Sequence, residues 1–320
     1  MFVMPFMKGD HGSMDLSQLR YVVAVADASN FTRAAERCFV TQSALSHQIA
    51  ALERELGQRL FVRSSRSVRV TEAGIAFVAR AREALRAVDS AKEDAAATEG
   101  NVVGTLRLGV IPTVTAIDVP GVLARFRAEH PSARVELRVG NSDALVADVR
   151  SGELDVALLG LREDALPQGV AVREIGRERL VAAVPRTHAL AGQADVALSE
   201  LSGMTFADFP AGTSGRAQSD VAFGAAGVER DVAFEADSAE LILGLVAADL
   251  AVSLLAPGVV ASRALDVIAV PVRQGPVRVE YAAWDKDAPR SVARAFLRVV
   301  DAVAPTQRGG PGKAPGPASQ

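Results

Sequence analysis

The chain has 320 residues, of which 49% are apolar and 23% charged, and its formal net charge at pH 7 is −3. This length allows two or three domains with cores of their own. No apolar run is both long enough and free of charge to cross a bilayer, and no segment at the N-terminus resembles a signal peptide. The single cysteine, Cys38, excludes an internal disulfide framework. We therefore expect a cytoplasmic protein without a membrane span.

The first residues predict an extension followed by two helices. Residues 1–13 show no periodicity, so we expect them to be disordered. The first helix is predicted from apolar residues at steps of three or four positions, namely Leu16, Leu19, Val23 and Ala26. The segment FTRAAERC then predicts a short second helix, which Thr32 would cap.

The segment 41–57 predicts the helix around which this part of the chain is organised. Thr41 stands where an N-cap belongs, and Gly57 stands where helices commonly end. The apolar face comprises Leu45, Ile49, Leu52 and Leu56. The opposite face has short or hydrogen-bonding side chains, namely Gln42, Ser43, Ser46, His47 and Ala50. Because Phe39 and Val40 leave room only for a tight turn, the two helices predict a helix-turn-helix, whose second helix enters the DNA major groove.

A predicted β-hairpin follows this helix. The sequence LFVRSSRSVRV forms two β-rich runs around a turn and carries Arg63, Arg66 and Arg69. Such a hairpin beside a recognition helix is typical of a winged helix-turn-helix, whose wing contacts phosphates or the minor groove. An ordinary hairpin with solvated arginines would explain these residues alone, but the order of all the elements favours DNA binding. Residues 14–71 contain eight arginines and five acidic residues, a local charge of +3.

The stretch from Leu16 to Gly74 resembles the N-terminal domain of LysR-type transcriptional regulators without a gap, and weaker similarity extends to about residue 304. The resemblance implies that Gln42, Ser43 and Ser46 contact bases or nearby phosphates. It also implies that Arg63 and Arg66 contact the DNA backbone from the wing. His47 stands where the family usually has arginine. The predicted DNA-contacting residues are Thr32, Arg33, Thr41, Gln42, Ser43, Ser46, His47, Arg63 and Arg66.

A long helix is predicted from Glu72 to about Thr98, with Thr71 as its cap. Its apolar stripe comprises Phe77, Val78, Ala81, Leu85 and Val88. A helix of this length needs a partner for its stripe, which favours a homodimer, although packing on its own domain is an alternative. The resemblance further implies a homotetramer. We assign 72–100 to this linker helix and a hinge.

Beyond the hinge the pattern changes to alternating strands and helices over residues 101–304. This rhythm predicts an α/β domain with a mostly parallel sheet covered on both faces. The last strands can return to the first set, so we expect two subdomains with crossovers near 174–178 and 266–272. Subdomain I then comprises 101–176 and 270–304, and subdomain II comprises 177–269. The resemblance implies a fold like that of periplasmic binding proteins, and the Pro- and Gly-rich tail 305–320 should be disordered.

Polar residues follow four of the predicted strands. Ligands of open α/β sheets bind beyond the carboxyl ends of strands, often at helix N-termini. The predicted effector-binding residues are Pro112, Thr113, Thr115, Asn141, Pro210, Gly212, Thr213, Asp237 and Ser238. Helix capping alone would also explain the Ser, Thr, Asn and Asp residues among them. Arg216 either pairs with an anionic ligand or is solvated, and we expect the ligand to be a small organic acid or metabolite.

No pattern predicts catalysis, a metal site or a cofactor. The four histidines are scattered, and the common nucleophile, dinucleotide and zinc motifs are absent from the sequence. Peroxide-sensing members of the resembled family use paired cysteines in the effector domain, which this sequence lacks. We therefore predict a regulator that binds double-stranded promoter DNA, while an enzyme and a solute-binding protein with an appended module are the alternatives.

Overall fold

The computed structural model describes residues 14–63, 68–97, 102–261 and 266–304. The predictions for the extension 1–13, for the end of the hinge and for the tail 305–320 lie outside the described residues. The chain divides into two compact units, Met1–Lys92 and Glu93–Gln320, with the boundary inside the long predicted helix. No described helix is long and apolar enough to cross a membrane.

The first unit contains three short helices and a two-stranded hairpin, and it includes most of the long helix. Its elements are α1 (Leu16–Ala28), α2 (Phe31–Arg37), α3 (Gln42–Leu56), β1 (Phe61–Arg63), β2 (Val68–Val70) and α4 (Glu72–Ala97). Strands β1 and β2 are antiparallel, as the predicted wing requires. This arrangement confirms the predicted winged helix-turn-helix.

The cap of α2 differs from the prediction. Asn30, not Thr32, caps this helix, since the Asn30 side chain accepts a hydrogen bond from the Arg33 N–H at 3.0 Å. The helix begins at Phe31, whose ring belongs to the core and packs edge-on against Phe61 with 5.9 Å between centroids. Thr32 lies on the exposed side of the first turn.

The predicted limits of α3 are confirmed. Thr41 Oγ1 accepts a hydrogen bond from the Ala44 N–H at 3.2 Å, and Gly57 ends the helix with a left-handed φ of 64°. The tight turn before Thr41 is also present, with Phe39 in a left-handed conformation at φ 56°. The apolar stripe holds α3 in the core, where Leu45, Ile49 and Leu52 are fully buried.

The wing is fixed to α3 and α4 by backbone contacts. Glu53 of α3 accepts hydrogen bonds from the N–H groups of Leu60 and Phe61, at 2.7 and 3.1 Å. Thr71 begins α4 by accepting a hydrogen bond from the Gly74 N–H at 2.9 Å. A Cβ atom at Gly74 would lie 2.2 Å from the Leu60 carbonyl oxygen, so only glycine allows this close approach.

The stripe of α4 is divided between two environments. Phe77 and Val78 pack against the core of the first unit, so the alternative of packing on its own domain holds for the first turns. Leu85 and Val88, farther along the helix, are only half-buried. A role for this second half in dimerisation remains a prediction.

The described part of the second unit contains a five-stranded sheet, a four-stranded sheet and a separate pair of strands, with helices packed on the sheets. Its elements in chain order are β3 (Gly104–Val110), α5 (Val119–Glu129), β4 (Ala133–Val139), α6 (Ser142–Ser151), β5 (Val156–Arg162), β6 (Ala171–Arg179), β7 (Val181–Pro185), β8 (Val196–Ala197), a 3-10 turn (Leu198–Leu201), β9 (Thr205–Asp208), α7 (Ser214–Ala225), β10 (Asp231–Glu235), α8 (Ala239–Ala247), β11 (Ser253–Leu255), α9 (Pro257–Ala261), β12 (Val267–Arg273), β13 (Val277–Trp284) and α10 (Ser291–Val303).

The first sheet has the strand order β4-β3-β5-β13-β6. Strand β3 is parallel to β4 and β5, but β13 is antiparallel to both β5 and β6. The sheet is therefore mixed rather than mostly parallel, because the returning strand β13 enters between two earlier strands. Its two faces are covered, one by Phe126 and Phe296 with their neighbours and the other by Leu145 and Val149 with theirs.

The second sheet has the order β11-β7-β12-β8, and β9 and β10 form a parallel pair beside it. A bridge between Phe206 and Val252 joins the pair to the start of β11. Strands β11 and β12 are both antiparallel to β7. One large core, which includes Phe206, Phe223 and Ile242, fills the space between this sheet and α7 and α8.

Both crossovers between the sheets lie beyond their predicted positions. Strand β6 stays in the first sheet to Arg179 and β12 stays in the second to Arg273, so the chain crosses at Leu180 and at 274–276. The two crossovers are joined by a hydrogen bond from the Leu180 N–H to the Pro276 carbonyl at 2.9 Å. The predicted subdomain limits at 176 and 270 are therefore wrong by a few residues. Below, subdomain I is 102–179 with 277–304, and subdomain II is 181–261 with 266–273.

A buried cluster of charges joins the last turns of α4 to subdomain I. Arg290 donates to Glu93 at 3.1 Å and to Asp155 at 3.0 Å, and all three side chains are at most one-tenth exposed. Asp155 also accepts a hydrogen bond from the Arg107 N–H at 2.7 Å. A Cβ atom at Gly104, whose φ is 105°, would collide with the Glu93 carboxylate at 2.3 Å.

We expect Arg290→Ala to destabilise the Glu93–Gln320 unit by about 3–5 kcal/mol, because it leaves two buried carboxylates without their cation. Trp284 in β13 is the sole tryptophan of the chain, so its fluorescence during urea unfolding reports on this unit. The control is Arg294→Ala, which removes a half-exposed ion pair with Asp94 and should cost below about 1 kcal/mol. Equal losses in the two variants would contradict the importance of the buried cluster.

Candidate nucleic-acid interface and effector cavity

The exposed face of α3 carries the residues predicted to contact DNA. Gln42, Ser43 and His47 are exposed and Ser46 is half-buried, while the opposite face is locked in the core. Gln42 Nε2 donates to Ser46 Oγ at 3.2 Å, and the hydroxyl oxygens of Thr41 and Ser43 are 3.1 Å apart. Amide and hydroxyl groups on one helix face can donate to and accept from base edges and phosphates.

The structure describes only some of the other residues that are predicted to contact DNA. Thr32 and Arg33 are exposed on α2. Arg66 and the side chain of Arg63 lie outside the described part of the structure, whereas Arg69 of β2 is exposed. The structure therefore brings the α3 residues together on one surface, and it leaves the wing contacts as predictions.

A cavity of about 330 Å³ lies between the two subdomains of the second unit. It is formed by the residues that follow β3, β4 and β9, together with Asp237 after β10, as expected for the carboxyl ends of strands. Six of the nine residues predicted to bind an effector line it, namely Pro112, Thr113, Asn141, Pro210, Thr213 and Asp237. Effector binding by these residues remains a prediction.

The other three predicted residues do not line the cavity, for structural reasons. Thr115 Oγ1 lies 2.9 Å from a carboxylate oxygen of Glu178 and 2.9 Å from one of Glu280, and these contacts hold the loop after β3. Gly212 has a left-handed φ of 80° in the turn before α7. Ser238 caps α8 by accepting from the Leu241 N–H at 3.3 Å.

Capping and cavity lining coincide at two positions. Asn141 caps α6 by accepting from the Ala144 N–H at 2.9 Å, and Thr213 caps α7 by accepting from the Arg216 N–H at 3.3 Å. Thr213 also donates to the Pro210 carbonyl at 2.8 Å. The two explanations weighed for these residues are thus compatible, since the cap fixes the residue that faces the cavity.

Arg216 does not line the cavity, and its side chain is mostly buried by protein partners. Its guanidinium contacts Asp220 at 3.0 Å, Glu235 at 2.9 Å and the Phe209 carbonyl at 3.2 Å. Nearby, the buried Asp208 pairs with Arg230 at 2.5 Å. Burial raises the pKa of the Asp208 carboxyl, and the two arginines act in the opposite direction. This network holds the loop that carries Phe209 and Pro210 against the cavity.

Ser142, next to the predicted Asn141, also lines the cavity, and sequence reasoning missed two further lining residues, Gln218 and Arg278. Ser142 Oγ bonds both the N–H and the carbonyl of Gly160, at 3.1 and 3.2 Å. The signal for Arg278 was present in the sequence VRVEYAAW, where two charged residues, Arg278 and Glu280, share one face of an apolar strand.

Arg278, which lines the cavity, forms a buried ion pair with Glu280, and their side chains are 5% and 2% exposed. Arg278 Nη2 donates to Glu280 and to the Thr113 carbonyl. Glu280 also accepts from the N–H groups of Thr115 and Ala116, at 3.0 and 3.1 Å. Burial raises the pKa of the neighbouring Glu178 carboxyl, against the opposing effect of Arg278.

Hydrogen bonds from α7 join the two subdomains on one side of the cavity. Asp143 of α6 accepts from the N–H and the hydroxyl of Ser214, at 2.8 and 2.7 Å. One turn later, Gln218 Nε2 donates to the Gly160 carbonyl at 3.3 Å. In the described residues, no group of three or more His, Cys, Asp and Glu side chains is placed to hold a metal ion.

The fold and the two surfaces define a DNA-binding regulator with a separate ligand-binding domain. Residues 16–75 match the model of the bacterial regulatory helix-turn-helix protein, lysR family, and residues 99–305 match that of the LysR substrate binding domain. The chain therefore belongs to the LysR family of bacterial transcriptional regulators.

Curated relatives and solved structures agree with this membership. The chain is 36% identical over 250 residues to the uncharacterized HTH-type transcriptional regulator YnfL of Escherichia coli, covering 76% of this chain and 82% of YnfL. It is 34% identical to the hydrogen peroxide-inducible genes activator of Dickeya chrysanthemi, covering 76% and 79% of the two chains. Among solved structures, a full-length OxyR variant from Pseudomonas aeruginosa matches with a TM-score of 0.74 and 27% identity, covering 91% of this chain and 96% of that chain.

CbnR bound to its target DNA matches with a TM-score of 0.66 and 27% identity, covering 90% of this chain and 99% of that chain.

We expect Asp143→Ala to speed hydrogen exchange of the Ser214 amide about fivefold or more, because that N–H loses its carboxylate partner at the start of α7. Exchange measured by mass spectrometry or NMR on the intact chain tests this. Asp148→Ala is the matched control, since Asp148 lies on the same helix but pairs with Arg138 within subdomain I. Similar exchange rates at Ser214 in the two variants would show that the bond across the cavity is not maintained in solution.

Proposed function

We propose that this chain binds promoter DNA through the exposed face of α3 and the β1–β2 wing, and that a small-molecule effector in the cavity between the subdomains changes that binding. The observation that carries the proposal is the α3 surface. Gln42, Ser43, Ser46 and His47 lie together on the outer side of a helix whose inner side is fully packed.

The chemistry of this surface suits reading of the major groove. A glutamine amide can bond the N6 and N7 edge of adenine, and serine hydroxyls can bond either bases or phosphates. The N-terminus of α3 adds the partial positive charge of free N–H groups, which favours phosphate. The bond between Gln42 and Ser46 holds both side chains on this face before DNA arrives.

The functional assembly is a homodimer formed through α4 and a homotetramer built from two dimers. Support comes from the family membership and from Leu85 and Val88, which are half-buried apolar residues on the second half of α4. Two recognition helices match the two half-sites of a partly palindromic operator. An effector can shift such an assembly only by binding its two forms with different affinity.

The effector acts by reversible binding rather than by catalysis or thiol chemistry. Cys38 is the sole cysteine, and it lies in the first unit, where burial raises the pKa of its thiol. A disulfide within the second unit is therefore excluded, although relatives include hydrogen peroxide-inducible activators. We further propose that the chain is not an enzyme and that it acts in the cytoplasm, where the DNA is.

The double change Gln42→Ala and Ser46→Ala should lower affinity for the operator by about 30-fold or more, since each lost base contact costs about 1–3 kcal/mol. Footprinting and titration on the DNA upstream of the protein's own gene measure this change. Affinity for unrelated DNA should stay the same, because phosphate attraction is unaltered. The control Gln58→Ala removes an exposed amide outside α3. Unchanged operator affinity in the double variant would disprove the assigned recognition face.

The change His47→Arg should raise DNA affinity and steepen its dependence on salt, with the slope of log affinity against log salt changing by about 0.9. Arginine carries a permanent charge and five donors, whereas the charge of histidine depends on pH. Gln193→Arg adds the same charge at an exposed position of the second unit and serves as the control. If both variants show the same salt slope, then His47 does not face the DNA backbone.

A further inference from the structure

Three side-chain oxygens lie in a row where β6 and β13 meet the loop after β3. Thr115 Oγ1 is 2.9 Å from Oε1 of Glu178 and 2.9 Å from Oε1 of Glu280. Both distances are those of O–H···O hydrogen bonds, and each such bond needs a proton between its two oxygens. A hydroxyl has one proton to donate, and an ionised carboxylate has none. The row therefore needs a second proton, which must lie on one of the two glutamates.

The surroundings of the two carboxyls place this proton on Glu178. Glu280 is a carboxylate, since it accepts from the Arg278 guanidinium and from the N–H groups of Thr115 and Ala116, at 3.0 and 3.1 Å. Among the described residues, only the Thr115 hydroxyl lies within hydrogen-bond distance of the Glu178 carboxyl, and the Arg278 guanidinium stays 3.7 Å away. The carboxyl that has fewer donors is the less costly one to keep neutral.

The titratable groups that face Glu178 from β13 are Arg278 and Glu280. They form a buried ion pair with each other, so the charge of Arg278 is already balanced. Ionised Glu178 would add a second, partly buried negative charge beside Glu280, and two carboxylates that share one site do not both ionise readily. Burial raises the pKa of the Glu178 carboxyl and Glu280 acts in the same direction, whereas Arg278 and the bond from Thr115 act against them.

The other elements around Glu178 add no charge that would reverse this assignment. The loop after β3 contributes the hydroxyl of Thr115, and α9 contributes the backbone of Gly258, which lies against the Thr115 methyl group. The neighbours of Glu178 on β6 are Arg177 and Arg179, and each of them is bonded to other groups. The balance at Glu178 is therefore set by β13 and by Thr115.

The row of oxygens joins segments that form the wall of the cavity. Glu178 lies on β6 two residues before the crossover at Leu180, and Leu180 lines the cavity. Thr115 lies on the loop that carries Thr113, which also lines the cavity. A Cβ atom at Gly258 of α9 would lie 2.7 Å from the Thr115 methyl carbon, so this loop closely contacts subdomain II. A change at Glu178 therefore acts where the two subdomains join.

We propose that Glu178 is a proton switch at the first crossover. When Glu178 is protonated, it donates to Thr115 and Thr115 donates to Glu280, so one hydroxyl bonds β6 and β13 at once. When the proton leaves as the pH rises, Thr115 can serve only one of two carboxylates, and the two negative charges repel each other. Glu178, whose side chain is already 23% exposed, then turns towards solvent, and the loop stays bonded to β13 alone. The switch lies within the second unit and operates without an effector or DNA.

Proton linkage gives the direction of the expected effect. A carboxyl whose pKa is raised in the folded chain contributes stability that is complete below the ordinary pKa of glutamate, and this stability is lost as the pH rises through the raised pKa. Glutamine in place of Glu178 can still donate to Thr115 but cannot lose a proton. We expect the unfolding equilibrium constant of the wild type, relative to that of Glu178→Gln, to rise about fivefold or more between about pH 5 and pH 8.

Urea unfolding of the full chain, followed by Trp284 fluorescence at one protein concentration, measures these constants. The pH dependence of the ratio carries the test, because a constant cost of the substitution cancels. Glu174→Gln is the matched control, since Glu174 lies on the same strand but bonds Arg177 at 3.0 Å. Its ratio to the wild type should change by less than about twofold over the same range.

Hydrogen exchange of the Ala116 amide reports on the loop and does not depend on whether Glu178→Gln folds. Protection factors, which correct for the intrinsic pH dependence of exchange, should fall about threefold or more in the wild type over this range, because the loop loses its bond to β6. Thr115→Ser keeps the hydroxyl and should behave like the wild type. Thr115→Val removes the hydroxyl, so its protection factor should be the same at both ends of the range.

The proposal is overturned if the ratio for Glu178→Gln does not depend on pH, or if the wild type gains stability relative to this variant as the pH rises. The second result would mean that Glu178 is ionised and paired with Arg278. One shared pH profile of Ala116 exchange in the wild type and in Thr115→Val would also overturn it. None of these measurements involves DNA, so a failure of the proposed function would leave their outcomes unchanged.

Discussion

The ion pair between Arg278 and Glu280 is the constraint on which the cavity depends. Both residues lie on one face of β13, the strand that returns to the first sheet after the chain has built the second. From there they bond the loop after β3, through the Thr113 carbonyl and the N–H groups of Thr115 and Ala116. A buried ion pair is costly to break by removing one partner, because the other charge stays buried. The position of Pro112 and Thr113 beside the cavity is thus secured by residues more than 160 positions away in the chain.

Helix caps organise both functional surfaces. Thr41 begins α3 at the DNA-facing surface, and Asn141 and Thr213 begin α6 and α7 at the cavity. Each cap uses a side-chain oxygen to satisfy one N–H of the first turn, and it leaves other polar atoms of that turn facing outwards. At α7 one of these, the Ser214 N–H, is bonded by Asp143 of the other subdomain. The same local rule therefore places polar groups both on the surface proposed to read DNA and on the surface proposed to bind a small molecule.

The features that local periodicity determines could be predicted from the sequence, and those that depend on distant pairing could not. The stripe of Leu45, Ile49 and Leu52 and the caps of α3 are set by neighbouring residues, so α3 was predicted with its correct limits. Strand β6, with the sequence AVREIGRER, was missed because it is an edge strand in which Ile175 alone is fully buried. Thr115 was assigned to the cavity because it follows β3. Its true partner, Glu280, comes from β13, and nothing near Thr115 in the sequence indicates that pairing.

The bonds within the second unit also connect the last turns of α4 to subdomain I, which is one wall of the cavity. Glu93, on the last turns of α4, is bonded to Arg290, and Arg290 is bonded to Asp155 beside β5. These contacts make the end of α4 follow subdomain I. Subdomain II is joined to subdomain I by the two crossovers and by the bonds of Ser214 and Gln218, which are few and partly exposed. A ligand that contacts Thr113 of subdomain I and Thr213 of subdomain II would add to the bonds between the two subdomains. It would not add to the bonds between α4 and subdomain I. In the proposed function, the binding free energy of such a ligand would change how strongly the two subdomains are held together, and it would shift the protein only by differing between two such arrangements.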